Sequence, residues 1–217
     1  MSHVGTSTEP VTITVFRWAG RWGPFKVKIP CGECALTLDV IADTLANELA
    51  GVPVKLDVRA WLSEWWKPLR LFPLKGWHAP IVLVDGAIVS EGEALNRGVL
   101  TQAVIARHAA RTTLQGTHVF GKASCPHCTR AKAYLADQGA PYTYHDVVKQ
   151  PSALYEMLAR VKPLVGPKTP ITVPQIWLDG RYVGGADQLG RHLGLSLTPG
   201  GVSASHPAPA DATPERV

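Results

Sequence analysis

The segment Cys125-Pro126-His127-Cys128 constrains this chain more than any other, because it sets two thiols only two residues apart. At that spacing a helix starting between them lets the pair close a small disulfide. Downstream, Thr172-Val173-Pro174-Gln175 offers an extended segment, and Gly184-Gly185-Ala186-Asp187 offers backbone free of side chains. Those are the surfaces needed to hold a thiol-bearing peptide, so the segments together point to thiol–disulfide exchange.

A chain of 217 residues is long enough for two small domains, which usually hold roughly 100–150 residues each. From Val11 to Trp18 β-branched and aromatic residues mark a strand, followed by a basic, aromatic insert from Arg21 to Pro30. Leu38, Ile41, Ala42, Leu45 and Leu49 share one helical face. Val52–Val58 reads as a strand and Trp61–Lys67 as a short helix stopped by Pro68. Asp85-Gly86 between apolar runs predicts a hairpin, and a helix from about Glu91 to Arg107 completes the order β-α-β-α-β-β-α. After a polar stretch, 108–116, the order recurs: strands at Thr117–Phe120, Tyr142–Asp146, Gln175–Leu178 and Arg181–Val183, with helices at Pro126–Gln138, Ser152–Lys162 and Gln188–Leu193. The reading is α/β, with units at 11–107 and 117–195 joined by a linker at 108–116. A Pro/Ala/Ser/Thr-rich tail at 198–217 buries too little to offset its ordering entropy.

Residues 117–195 resemble glutaredoxin. The likeness rests on Lys122 three residues before the first cysteine, the Cys-Pro-x-Cys loop, Thr-Val-Pro-Gln, the Asp179-Gly180 hairpin and Gly-Gly-x-Asp, all in the family's order. The resemblance implies a thioredoxin fold, a cis bond before Pro174, and glutathione as electron donor and co-substrate. It makes Cys125 the nucleophile and Cys128 the resolving thiol. It also assigns glutathione binding to Lys122, Thr172, the Val173 backbone, Pro174, Gly184, Gly185, Ala186 and Asp187, with Lys168 a further cation for the glycyl carboxylate. Physical chemistry runs the same way: the unpaired amides and dipole of a helix N-terminus favour Cys125 as thiolate, and Lys122 adds a positive charge. His127 replaces the family's aromatic. The Pro-His dipeptide is shared with the strongly oxidising DsbA, so His127 is read as tuning the thiolate.

The first half looks like a divergent thioredoxin-like domain, with Cys31-Gly32-Glu33-Cys34 in the redox position and Pro80 in the place of the cis-proline. Glu33 disfavours thiolate and stabilises the disulfide, which makes this second pair the more reducing and directs electrons from Cys31/Cys34 toward Cys125/Cys128. The alternative is a docking domain with a structural pair. Six of the seven tryptophans lie in the first 77 residues, and Trp18, Trp22, Trp61, Trp65, Trp66 and Trp77 are expected mostly in the core.

The net charge of +5 is spread without a Lys/Arg run, so nucleic-acid binding has no support. No run reaches the roughly 18–20 apolar residues of a membrane span, and residues 1–10 lack a basic start followed by an apolar run, so a secretory leader is not expected. A cytoplasmic monomer acting on client protein disulfides is the expectation, and in that compartment C-x-x-C pairs are redox-active or metal-binding. About ninety residues separate the two pairs, against about 15–20 in zinc ribbons, so no metal is expected. A glutathione-ligated iron–sulfur cluster carrier and a non-catalytic client adaptor are the alternative functions. His3, His78, His108, His118, His145, His192 and His206 show no ligand spacing and are read as surface or satisfied core residues.

Overall fold

The computed structural model describes residues 9–22, 24–64, 78–166 and 168–195. The Pro/Ala-rich tail, Trp65, Trp66, Trp77 and most of the helix expected at 61–67 lie outside them. Strand β1 (Val11–Arg17) alternates buried and half-buried residues, then buries both Val15 and Phe16 before ending at exposed Arg17. It pairs in parallel with β4 (Val54–Ala60), Val11 opposite Val54, and antiparallel with β5 (Ile81–Val84), Ile13 opposite Val84. β5 turns at Asp85-Gly86 into β6 (Ala87–Glu91), giving the order β4-β1-β5-β6.

Helix α1 (Gly32–Ala46) starts directly behind Cys31, earlier than its apolar periodicity suggests. Helix α2 (Arg97–Arg111) starts six residues later than expected. The intervening loop is tied down instead: the Leu95 amide donates to Thr37 Oγ1 of α1 at 3.4 Å, and Asn96 caps the helix by accepting from the Val99 amide at 3.2 Å. Val11, Ile13, Ile41, Val82, Leu100 and Val104 are among the buried residues of this half's main core.

The basic, aromatic insert is itself a hairpin, β2 (Ala19–Trp22) paired with β3 (Phe25–Lys28), standing apart from the main sheet. A side chain at Gly20 would meet the Ser63 backbone nitrogen and Oγ at 2.6 Å, so only glycine lets the hairpin reach the 3-10 turn Trp61–Ser63. Trp18 and Trp61 are half-buried and lie against each other with ring centroids 4.9 Å apart, rather than in the core as expected. Trp177, in the second half, is buried.

The second half repeats the topology. β7 (Thr117–Gly121) pairs in parallel with β8 (Tyr142–Asp146) and antiparallel with β9 (Gln175–Leu178), which turns into β10 (Arg181–Gly184). Its helices are α3 (Pro126–Asp137), α4 (Pro151–Val165) and α5 (Ala186–His192). The stretch after Val161 is partly helix, since α4 continues through Pro163.

The linker reading is corrected at its start: α2 runs to Arg111, so 108–111 is helix and only 112–116 is extended connection. Arg160 of α4 clamps this junction. Its guanidinium donates to the Thr112 carbonyl at 2.8 Å, Thr112 Oγ1 at 2.9 Å and the Ala109 carbonyl at 3.3 Å, with Glu156 as counter-ion. Tyr155, also on α4, packs against the core of the first half. Replacing Arg160 by Met removes the donor to the part-buried Ala109 and Thr112 carbonyls. The expected loss is about 2–3 kcal/mol of unfolding free energy, read as a lowered urea midpoint; an unchanged midpoint would show that the clamp contributes nothing.

Candidate functional site

Strand β7 delivers the chain to Cys125 in extended geometry (φ −122°, ψ 113°), and Pro126 occupies the first helical position, where its missing N–H costs nothing. Cys125 is the N-cap of α3: its Sγ accepts from the Cys128 amide at 3.4 Å. Across from it the chain turns through a cis Val173–Pro174 bond, and Cys125 Sγ lies 3.6 Å from the Val173 carbonyl. The helix start and the Thr-Val-Pro-Gln segment, 48 residues apart, therefore share one site. Gln175 holds that segment in shape, donating to the Thr172 carbonyl at 2.6 Å and accepting from the Tyr182 hydroxyl at 2.5 Å.

The two thiols differ in environment. Both are free and buried, Cys125 at 7% and Cys128 at 1% exposure. Burial pushes Cys125 up, but hydrogen bonds from the Cys128 side chain and from the Cys128 and His127 backbone, with the charge of Lys122, outweigh it and hold the thiol below its ordinary value. Burial pushes Cys128 up to about 11, reinforced by its hydrogen bond to Cys125. One sulfur is shifted toward the thiolate and the other toward holding its proton.

Gly121 lets the second sulfur lie against the sheet: a Cβ there would sit 3.0 Å from Cys128 Sγ and 3.3 Å from the Tyr144 hydroxyl. That hydroxyl is buried and has no hydrogen-bond partner. Burial, with Asp146 and the two cysteines, raises Tyr144 to about 12, so it stays a donor beside the thiols. Lys132 lies over its ring, 4.8 Å from the centroid. Tyr144 was not legible as a site residue, since nothing in Tyr-Thr-Tyr-His-Asp distinguishes it from an ordinary strand position.

Arg130 is the other residue that sequence reasoning missed. Its guanidinium donates to Asp187 and, at 3.1 Å, to His127 Nδ1, which ties α3 to the start of α5. His127 is exposed. Asp187 thus already holds a cation, while the side chain of Ala186 is buried in the core and leaves only its backbone for a ligand. Gly184 (φ +108°) and Gly185 line up behind the Val173–Pro174 turn, the Gly185 amide held by Gln188 Oε1 at 3.1 Å. Lys122, Thr172 and Lys168 are exposed.

The Cys31/Cys34 pair has the same local construction in a different state. Cys31 caps α1 by accepting from the Cys34 amide at 3.1 Å, and the two sulfurs are bonded as a disulfide. Glu33 Oε2 lies 3.9 Å from Cys31 Sγ, and the Ala79–Pro80 bond is cis. Among the described residues no three His, Cys, Asp or Glu side chains gather to hold a metal ion, and no helix is long and apolar enough to cross a membrane. His118 and His145 hydrogen-bond to each other at 2.9 Å, whereas His108 is a half-buried histidine whose Nδ1 has no partner, unlike the satisfied role expected.

The glutaredoxin family profile matches residues 118–183. Glutaredoxin 3 of Escherichia coli K12 is 30% identical over 76 residues, which cover 35% of this chain and 83% of that protein. The chain belongs to the glutaredoxin family. Glutaredoxin 1 of Rickettsia conorii is 38% identical over 71 residues, 33% of this chain and 65% of its own length. Among solved structures, the buckwheat glutaredoxin–glutathione complex is 22% identical (TM-score 0.36; 43% of this chain, 83% of that one). Brucella melitensis glutaredoxin is 31% identical (TM-score 0.29; 37% and 79%). Family membership supports a glutathione-related thiol–disulfide oxidoreductase role for the glutaredoxin half.

Iodoacetamide labelling of the Cys31→Ser/Cys34→Ser chain separates the two remaining thiols. Cys125 is expected to reach half its maximal rate at lower pH than free cysteine, and Cys128 only near pH 11. Tyr144→Phe keeps the ring but removes a donor beside Cys128. It is expected to slow attack by Cys128 on a Cys125 mixed disulfide by about threefold to tenfold, leaving the Cys125 labelling curve in place; equal rates in stopped-flow would show that the hydroxyl plays no part.

Proposed function

We propose that the chain is a glutathione-dependent dithiol oxidoreductase that reduces protein disulfides and glutathione mixed disulfides. The observation that carries this reading is the division between the two thiols, Cys125 lowered at the helix cap and Cys128 buried and raised to about 11. Cys125 thiolate attacks one sulfur of the substrate disulfide. That S–S bond breaks, a Cys125–sulfur bond forms, and the leaving thiolate takes up a proton.

Two routes finish the turnover. A glutathione thiolate can attack the substrate-derived sulfur and free Cys125, or Cys128 can lose its proton, attack Cys125 Sγ and release the second thiol as the Cys125–Cys128 disulfide forms. Two glutathione molecules then restore the dithiol and leave as glutathione disulfide. In this reading the Val173 backbone pairs with the glutathione cysteine, while Lys122 and Thr172 lie beside the peptide. Gly184 and Gly185 admit its γ-glutamyl end, which meets the Ala186 backbone and Asp187. Arg130, already bound to Asp187, offers a cation for the γ-glutamyl carboxylate.

The Cys31/Cys34 pair serves as a second redox centre passing electrons toward Cys125/Cys128, and the protein works as a monomer in the cytoplasm on client disulfides. The shared cap geometry, Cys31 accepting from the Cys34 amide as Cys125 does from the Cys128 amide, supports a second thiol–disulfide centre in the first half.

Cys125→Ser is expected to abolish glutathione-coupled reduction of both substrate types. Cys128→Ser keeps turnover on glutathione mixed disulfides and loses it on protein disulfides. Undiminished turnover in Cys125→Ser would overturn the mechanism.

A further inference from the structure

The insert hairpin β2–β3 does more than decorate the first half: it walls a cleft of about 900 Å³ over the Cys31–Cys34 disulfide. That is within the size of small-molecule sites, about 300–1,000 Å³. The wall is fixed in place, because Gly20 packs on Ser63, the Arg21 amide donates to Ser63 Oγ at 3.0 Å, and Trp18 lies on Trp61. Cys31 is half-buried and lines the cleft, whereas Cys34 is 6% exposed, so Cys31 is the sulfur a ligand reaches first.

The lining has a one-sided charge. Arg17, Arg21 and Lys26 face the cleft, and no carboxylate lines it among the described residues. None of the three has an ion-pair partner among the described residues, while Arg59, Arg97, Arg111, Arg130 and Arg160 all do. Glu33, 3.9 Å from Cys31 Sγ, is one acidic group near the sulfur against three cations. Val27, Ile29 and Leu38 give the cleft an apolar share. Unpaired cations around an accessible disulfide favour a ligand that carries both carboxylates and a thiol.

We propose that this cleft binds a small carboxylate-bearing thiol, which opens the Cys31–Cys34 disulfide at Cys31. It rests on the redox role given above to this pair, and gives the first half an entry point for electrons of its own, besides the direct one at Cys125–Cys128. The ligand thiolate attacks Cys31 Sγ, the Cys31–Cys34 bond breaks, and Cys34 leaves as a thiolate that takes up a proton. A second ligand thiolate attacks the ligand sulfur of the mixed disulfide, releasing Cys31. Two thiols become one disulfide, and the pair gains two electrons and two protons.

The test uses the full chain with Cys125→Ser and Cys128→Ser, so that Cys31–Cys34 is the sole disulfide. Its opening is followed by alkylation and intact mass, with glutathione, uncharged 2-mercaptoethanol, cationic cysteamine and an acidic cysteine-containing peptide as probes, each corrected for its thiolate fraction. Glutathione is expected to saturate and to react fastest. Arg21→Gln/Lys26→Gln should slow glutathione about tenfold or more and leave 2-mercaptoethanol unchanged. Opening by all thiols without preference would overturn the cleft assignment and leave the second redox centre standing. Saturation by the acidic peptide but not by glutathione would make the surface a polypeptide site instead. A disulfide that no thiol opens would remove both the second centre and its ligand.

Discussion

Both halves of this protein depend on one interaction, a cysteine sulfur in the place where a helix needs a hydrogen-bond acceptor. The first amides of a helix have no partner within it. Ser, Thr, Asp or Asn usually supply one. Here Cys31 and Cys125 do so, each accepting from the amide three residues on. The same contact that starts the helix holds electron density on sulfur, so the requirement of the fold and the requirement of the chemistry fall on one atom.

The surroundings of each cap separate the two halves. At Cys125 the neighbours are a distant lysine, polar backbone and a carbonyl from the opposite loop, while the second sulfur is pressed against the strand at Gly121. At Cys31 the neighbour is a carboxylate, and the sulfurs are joined. The two caps share one local construction, and the groups set around them differ.

The succession of the main-sheet strands along the chain was legible because β-branched runs, Asp-Gly turns and the C-x-x-C spacing are local signals, whereas their order within each sheet came only with the folded chain. The helix at 97–111 was misplaced by six residues at its start, since Asn96 and the tie from Leu95 to Thr37 compete with apolar periodicity and only the folded chain reveals the second of these. The hairpin in the basic insert was missed as structure because its strands pair in a sheet only with each other, apart from the main ladder. At the site, residues within the motifs could be named from the sequence alone. Arg130 and Tyr144 could not, because one acts through Asp187, 57 positions away, and the other through a hydroxyl that matters only where strand β8 meets Gly121.

The independence of the β2–β3 hairpin has a consequence for how such a chain can change. The ladder β4-β1-β5-β6 is complete without it, and its main hold on the rest is a close approach at Gly20. Beyond Gly20, its length and composition are therefore free to vary without disturbing the register that places Cys31 at the head of α1. The hairpin is an exchangeable part, through which ligand preference could diverge among relatives while the sulfur chemistry beneath stays the same.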